Sequence, residues 1–477
     1  MNMGMPDPLL SRIATRLSTP VSGQSLALFR IALGGLLVWD CWRFIKYDRV
    51  WRYWVAPEFH FTYPGFGWVM PLPEPWIHIA WLLVGISAFC VMIGFCYRLF
   101  IVVLTVGFGY FFLLDKAEYL NHFYLVVLYL VLMCFLPAHR TLSFDAWLFP
   151  RGGSGHIPYA AVFAIRAQTE IMLIFAGLVK LTPDWLVGEP LGLWLREQAG
   201  EHPFGFLFQY DWIIIAGAWG TIVLHIVGAP LLLWRRTRLP VFLIYCVFHA
   251  ANSGFFNIGI FPWLTIAATT IFFDPDWPRR FAWWLADRFG QMPPRPSIPR
   301  PAAGQPLARI VLLALGLWVV VQVAVPLRSL AFDSDVRWSG EGHRFSWRMR
   351  IYDRSAEGTF HVVADDRRWS VKPTDYLTGR QAEKMLVRPD MIHQFAGYLE
   401  SVWRKAGYTD VAVYAEIEKS LNGRPGQSFV DTAVDLASAE LSPFAAAPWV
   451  VPLSEPVWGV ADNRASEMAL GRAVGNQ

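Results

Sequence analysis

The chain has 477 residues, of which 55% are hydrophobic and only 16% charged, against the about 25% charged residues of an ordinary soluble domain. A mean hydropathy of +0.35, 24 tryptophans and 35 phenylalanines describe a membrane protein with a soluble appendage, its rings serving interfacial belts and packing between helices. The net charge of +4 gives no reason to invoke nucleic acid, and five cysteines inside apolar runs, without Cys/His spacing, point to no metal or redox centre.

Met1 to Ser25 is polar and proline-bearing, and the first apolar run ends in WDCWR instead of a small-residue cleavage site, so no cleavable signal peptide is expected. Apolar runs follow at 24–42, 76–96, 99–114, 121–138, 160–181, 212–234, 239–253, 258–273 and 308–326. Each approaches the ~20 residues a membrane helix needs, which predicts nine spans. The seventh and eighth are short, and Ala251 to Gly254 reads either as a turn between them or as a break inside one discontinuous helix. With a cytoplasmic N-terminus, nine crossings put Arg98, Arg140, Arg151, the Arg235/Arg236/Arg238 cluster and the arginines from Arg279 to Arg300 on the cytoplasmic side. Asp184, Glu189, Glu197, Glu201 and Asp211 fall opposite, which is the positive-inside pattern. Arg43, Lys46, Arg49 and Arg52 break it and read as headgroup or substrate contacts. Lys116 and everything after Pro326 then lie outside the cytoplasm.

Pro293 to Pro306 is too rich in proline for a helix. Beyond the last span, FSWRMRIYD, GTFHVVADD and RRWSVKP alternate as strands over 343–372, with turns at Ser355 to Gly358 and Asp365 to Arg367. Arg380 to Tyr408 reads as helix interrupted near Pro389, and VAVYAEIEKS as a strand closed by Asn422 and Gly423. The expected fold is an α-helical polytopic membrane bundle followed by a small extracytoplasmic α+β domain. Residues 1–23 form a cytoplasmic segment, 24–327 the bundle, 328–460 the α+β domain and 461–477 a disordered tail.

Polar residues inside the apolar runs are the candidates for chemistry. The stretch FFLLDKAEYLNHFY, Phe111 to Tyr124, sets Asp115, Lys116, Glu118, Asn121 and His122 between two spans. A lysine there either snorkels to headgroups or turns into the bundle, where desolvation favours the neutral amine and makes a proton acceptor. Asn121 suits a helix cap. His249, Asn252 and Asn257 near the helix break either satisfy one another or face a ligand. Arg166 and Glu170, at i and i+4, read as a pair, and Lys180 as a snorkelling lysine.

LDKAEYLNHFYL resembles the loop that carries the catalytic lysine in vitamin K-dependent gamma-glutamyl carboxylases. Further similar segments follow in the same order: PLPEPW (71–76), GFCYR (94–98), FAGLVKLTPDWLVG (175–188), FHAANSGFFNIGIFPWL (248–264), DPDWPRR (274–280) and GHRFSWRMRIYD (342–353). The resemblance covers residues 20–450 and implies an HTTM-like membrane enzyme. In it Lys116 deprotonates a vitamin K hydroquinone or menaquinol, oxygenation gives the epoxide, and the strong base formed on the way removes a γ-proton from protein glutamate so that CO2 adds. Reduced vitamin K, O2 and CO2 are the implied co-substrates, without a metal. A lipid-soluble quinone and a glutamate-containing peptide or protein are the implied partners. His60 stands near a family active-site histidine and equally fits an interfacial histidine bonded to a backbone carbonyl. Asn121, His122, His249, Asn252, Asn257 and Arg98 are the expected quinone-binding residues. Animal members have a larger lumenal portion for a recognition peptide, so here the peptide partner is less defined than the quinone chemistry, and a bacterial inner membrane fits the chain. A non-catalytic scaffold or lipid- or quinone-binding protein, in which Lys116 is replaceable, is the alternative. A transporter would show paired inverted halves, and none is evident.

Overall fold

The computed structural model describes residues 8–150, 155–256, 258–290, 307–442 and 444–454. The proline-rich linker, Asn257 and the expected disordered tail lie outside the described residues. All nine apolar runs are helical: α1 (Gln24–Lys46), α2 (Trp76–Ile93), α3 (Tyr97–Leu114), α4 (Asn121–Phe135), α5 (Tyr159–Leu178), α6 (Asp211–Leu233), α7 (Arg238–Phe255), α8 (Phe261–Phe272) and α9 (Arg309–Leu327).

Among the described residues six of these helices, α1, α2, α3, α5, α6 and α9, are long and apolar enough to cross a membrane, so the expected nine is not reached. The 15 residues of α4 rise only about 22 Å, short of the roughly 30 Å of hydrocarbon, and α8 is shorter still. In α7 the polar His249, Asn252 and Ser253 dilute an otherwise apolar helix. No break occurs at Ala251 to Gly254. The α7 helix runs through to Phe255, and the chain turns afterwards, with Gly259 at φ +62°. Where Pro230 lacks the N–H that would bond the carbonyl of Ile226, α6 widens into a π-turn over Leu224–Gly228. The Tyr245 hydroxyl donates to the carbonyl of Leu224 at 2.9 Å and steadies that turn. Lipid contact is plainest on α9, where Ile310, Leu313, Leu317 and Val320 are exposed apolar side chains.

The soluble domain is a four-stranded antiparallel sheet, β1 (Arg354–Ala364), β2 (Arg367–Val371), β3 (Ala412–Leu421) and β4 (Gln427–Ser428), in the order β2-β1-β3-β4. Helices α10 (Gly379–Leu386) and α11 (Pro389–Lys405) cover one face. Alternation along β1 and β3 sends Phe360, Val362, Val413, Ala415 and Ile417 inward, and Phe360 meets Phe395 of α11 edge to face at 4.9 Å. Each such large side chain contributes roughly 1.5–3 kcal/mol by burial.

Two strand expectations fail. Ser355 to Gly358 is not a turn but the first half of β1, paired with β3. FSWRMRIYD is not a strand: Phe345, Trp347 and Arg350 have φ of +63°, +56° and +47°. Its alternating apolar residues are used against the bundle. Trp347 joins the membrane core, Ile351 packs with Trp185 and Trp194, and Phe345 meets Tyr63, Tyr119 and Tyr124. The soluble domain is also clasped to the bundle by Arg424, whose guanidinium grips Asp184 at 2.7 and 3.0 Å.

Candidate active site

Beneath the soluble domain the bundle encloses a cavity of about 670 Å3, within the range of small-molecule sites. One wall is aromatic: Phe44, Trp54, Trp81 and Phe111 lie 4.6–5.5 Å apart. The facing wall comes from α5, α6 and α7. A Cβ on Gly177 would come within 2.9 Å of the Cβ of His225 and 2.7 Å of Ile226 Cγ1, so glycine is what lets α5 and α6 close up there. Lys180 and His225 consequently line one side. His225 Nδ1 lies 2.8 Å from the carbonyl of Thr221. Lys180 donates to the carbonyl of Ala176 at 2.8 Å and stands 5.3 Å from the centre of the Trp185 ring. The ring of His249 is buried between Tyr245, Phe248 and Phe261, and neither of its nitrogens has a hydrogen-bond partner among the described residues. Both carboxylates of the wall are engaged, Asp40 with Arg43 at 3.5 Å and Glu118 with Arg380 at 2.7 Å. Met349 and Arg350, with Arg380 and Lys384 of α10, form the roof.

The Lys116 loop runs along the outside of this chamber. Lys116 is buried but does not line the cavity. Its ammonium pairs with Asp390 at the start of α11, 2.6 Å away, and Asp390 also holds Arg344 at 2.7 Å. Burial pushes the Lys116 amine below its ordinary value, with Asp390 opposing and the Arg344 charge assisting. For Asp390 burial raises the carboxyl, but Arg344 and Lys116 outweigh that and hold it well below the usual carboxylate range. The neighbouring Asp115 is pushed up to about 7 by burial, against bonds from the Ala117 amide and the Gln381 side chain at 2.7 and 2.8 Å. The soluble domain thus grips the loop through Gln381, Arg380 and Asp390.

Of the residues singled out from sequence, Asn121, His122, His249 and Asn252 line the cavity together. Asn121 is not a side-chain cap. It is the first residue of α4, accepting from the Tyr119 hydroxyl at 3.0 Å and donating to the carbonyl of Arg348 at 3.1 Å. His122 stands over Gly259, whose missing Cβ leaves room beside Nε2. Lys116 and His60 are not in the lining. Burial pushes His60 down to about 4, opposed by a hydrogen bond at the Trp54 backbone, which matches the carbonyl-bonded reading. Arg98 is at the far end of α3, donating to the carbonyl of Cys134 at 2.7 Å, about 24 Å along the helix from Leu114. Asn257 lies outside the described residues.

Sequence reasoning missed Lys180, which does not snorkel but is buried in the wall. It also missed His225, Arg350 and Asp390. Arg166 and Glu170 do not pair: Arg166 donates to the carbonyls of Ile271 and Phe273 at 2.8 and 2.7 Å.

A polytopic helical bundle whose internal chamber is roofed by an α+β domain is the class of protein these features define. Residues 18–277 match the family model of the HTTM domain, and residues 307–456 that of the vitamin K-dependent gamma-carboxylase, lumenal domain. The chain belongs to the vitamin K-dependent gamma-carboxylase family, as an integral membrane protein. No solved structure matches it.

Proposed function

We propose that the chain is a membrane enzyme that deprotonates and oxygenates vitamin K hydroquinone, or menaquinol, and couples this to addition of CO2 at the γ-carbon of protein glutamate. The observation that carries the reading is the chamber itself: aromatic walls for a flat lipid-soluble ring, and the His249 imidazole, buried with both nitrogens unpartnered, for its oxygens. Buried imidazole nitrogens without partners are costly, and a hydroquinone hydroxyl satisfies them. Reduced vitamin K, with oxygen, supplies when bound the base strong enough for the γ-proton. Rings and roof keep water from that base.

In this reading Lys116 accepts the hydroquinone proton. It stands behind the segment from Glu118 to Phe123 that lines the chamber, so it acts only when Asp390 releases it. His122, His249 and Asn252 hold the quinone, with Asn121 fixing the loop. The N-terminus is cytoplasmic and the soluble domain periplasmic in a bacterial inner membrane, as the arginine distribution favours. Purified protein in lipid discs, given reduced vitamin K and oxygen, should form the epoxide, and Lys116→Ala should abolish it. Equal product from the two proteins would refute the reading. Labelled bicarbonate with a glutamate-containing peptide then separates epoxidation from carboxylation.

The Lys116–Asp390 pair favours a second reading, a quinone- or lipid-binding scaffold in which Lys116 is a structural clasp. That reading expects bound quinone and no epoxide.

A further inference from the structure

We propose that Lys180 and Arg350 form the subsite that receives the γ-carboxylate of a glutamyl side chain in the chamber. The inference rests on the proposed function and assigns it a substrate-binding corner.

Charge around the cavity is lopsided. Six cations line it, Arg43, Arg49, Lys180, Arg350, Arg380 and Lys384, against two carboxylates, Asp40 and Glu118. Arg43 and Arg380 already face those carboxylates, and Lys384 pairs with Glu383 at 2.9 Å. Among the described residues no carboxylate lies within ion-pair distance of Lys180 or Arg350. A neutral hydroquinone does not answer such an excess; an anion does.

The two cations share one corner. Lys180 stands over Trp185, while Arg350 stands 4.3 Å from the centre of the Phe256 ring and 5.0 Å from that of Trp194. Trp185, Trp194 and Phe256 belong to one packed cluster. Ring faces hold a cation without occupying its N–H donors. The Lys180 ammonium has three donors, and the carbonyl of Ala176 takes one. Lys180 is only 6% exposed, so the charge is withheld from water. A buried ammonium in that state is costly until an anion arrives, and a carboxylate supplies the missing acceptors.

The same corner suits the reaction. When the γ-C–H bond breaks, its proton passes to the base that oxygenation of the hydroquinone supplies. The electron pair left on the γ-carbon spreads onto the adjacent carboxylate oxygens and then forms the bond to CO2. Negative charge therefore grows on the oxygens that Lys180 and Arg350 hold, where a fixed ammonium in a dry site is most effective.

The test uses the full chain in discs of zwitterionic lipid. A blocked pentapeptide containing two glutamates, and the same peptide with glutamines, are titrated by calorimetry. Wild type should bind the glutamate peptide in preference. Lys180→Met should weaken that binding roughly 10- to 100-fold, the size of a lost charge-assisted bond, and collapse the preference. Lys180→Arg should restore most of it. If Lys180→Met does not elute as a single species, Arg350→Gln, at the roof, carries the same comparison. Unchanged glutamate-peptide affinity in these variants overturns the proposal, as does a wild type that ignores the glutamate-to-glutamine change. Bicarbonate or phosphatidylglycerol binding lost in Lys180→Met, without peptide binding, gives the corner to another anion and equally overturns it. Absence of epoxide from wild type defeats the proposed reaction instead, and leaves the peptide titration readable.

Discussion

Lys116→Met and Asp390→Ala break the same ion pair, yet their costs should be unequal. The Lys116 side chain is 2% exposed and its ammonium lies 2.6 Å from Asp390, whereas the Asp390 side chain is 36% exposed and keeps Arg344 at 2.7 Å after Lys116 is gone. Lys116→Met therefore leaves a carboxylate still paired and hydrated, a loss of about 1 kcal/mol or less. Asp390→Ala leaves an ammonium buried beside the Arg344 guanidinium, the situation that costs about 3–5 kcal/mol. Hydrogen exchange reports the difference locally. The Lys116 amide donates to the carbonyl of Phe61 at 2.8 Å and that of Glu118 to Asp115 at 3.1 Å, so both exchange only when the loop opens. Exchange of these amides should rise roughly 100- to 3000-fold in Asp390→Ala and change little in Lys116→Met. Equal acceleration in both, or the larger effect in Lys116→Met, would refute the assignment of the pair as a buried cation held by a hydrated anion.

If Lys116 must be neutral to take a proton, kcat/KM climbs as the amine deprotonates. Burial already lowers that amine and Asp390 opposes the shift, so Asp390→Asn should move the climb to lower pH; movement upward, or none, counts against Lys116 as the base. Lys419 sits on the inward face of β3 and is held well below the ordinary lysine value by burial, with Arg354 and Arg388 adding to it. Between that lowered value and about 10.4 the unfolded chain binds more protons, so stability should rise with pH there, and Lys419→Met should flatten the rise in thermal unfolding scans. Gly177→Val places methyl groups against His225 and Ile226 and should cost about 1–3 kcal/mol while displacing Lys180. A tryptophan fluorescence change from Trp185 in that variant, with a lowered melting point, is the check.

Long apolar runs are a strong signal because a membrane leaves helix as the main way to satisfy a backbone, and all nine runs are helices here. Their count as spans was not legible, since α4 and α8 are short inside a protein-packed centre that hydropathy cannot distinguish from lipid. The Lys116 loop stood out through its charges, but its partner Asp390 is 274 residues away, beyond any local pattern. Lys180 misled for a related reason. At the end of a span a lysine normally reaches headgroups, but this helix end lies beneath the roof and the turn carrying Trp185. Arg166 illustrates a third limit: the i+4 glutamate was the obvious partner, and the unsatisfied carbonyls at the end of α8 took the guanidinium instead. Period-two alternation over FSWRMRIYD was real, but three left-handed residues turn the segment into a plug.

Walls from residues 40–261 and a roof from residues 349–384 mean that the chamber is assembled from distant parts of the polypeptide. During synthesis the bundle enters the bilayer as an open vessel, and Arg350, Arg380 and Lys384 close it only after the ribosome has finished the α+β domain. Chimeras that join the bundle of one homologue to the lid of another will therefore inherit a working vessel only where both rims match, and the two portions are bound to diverge as a unit.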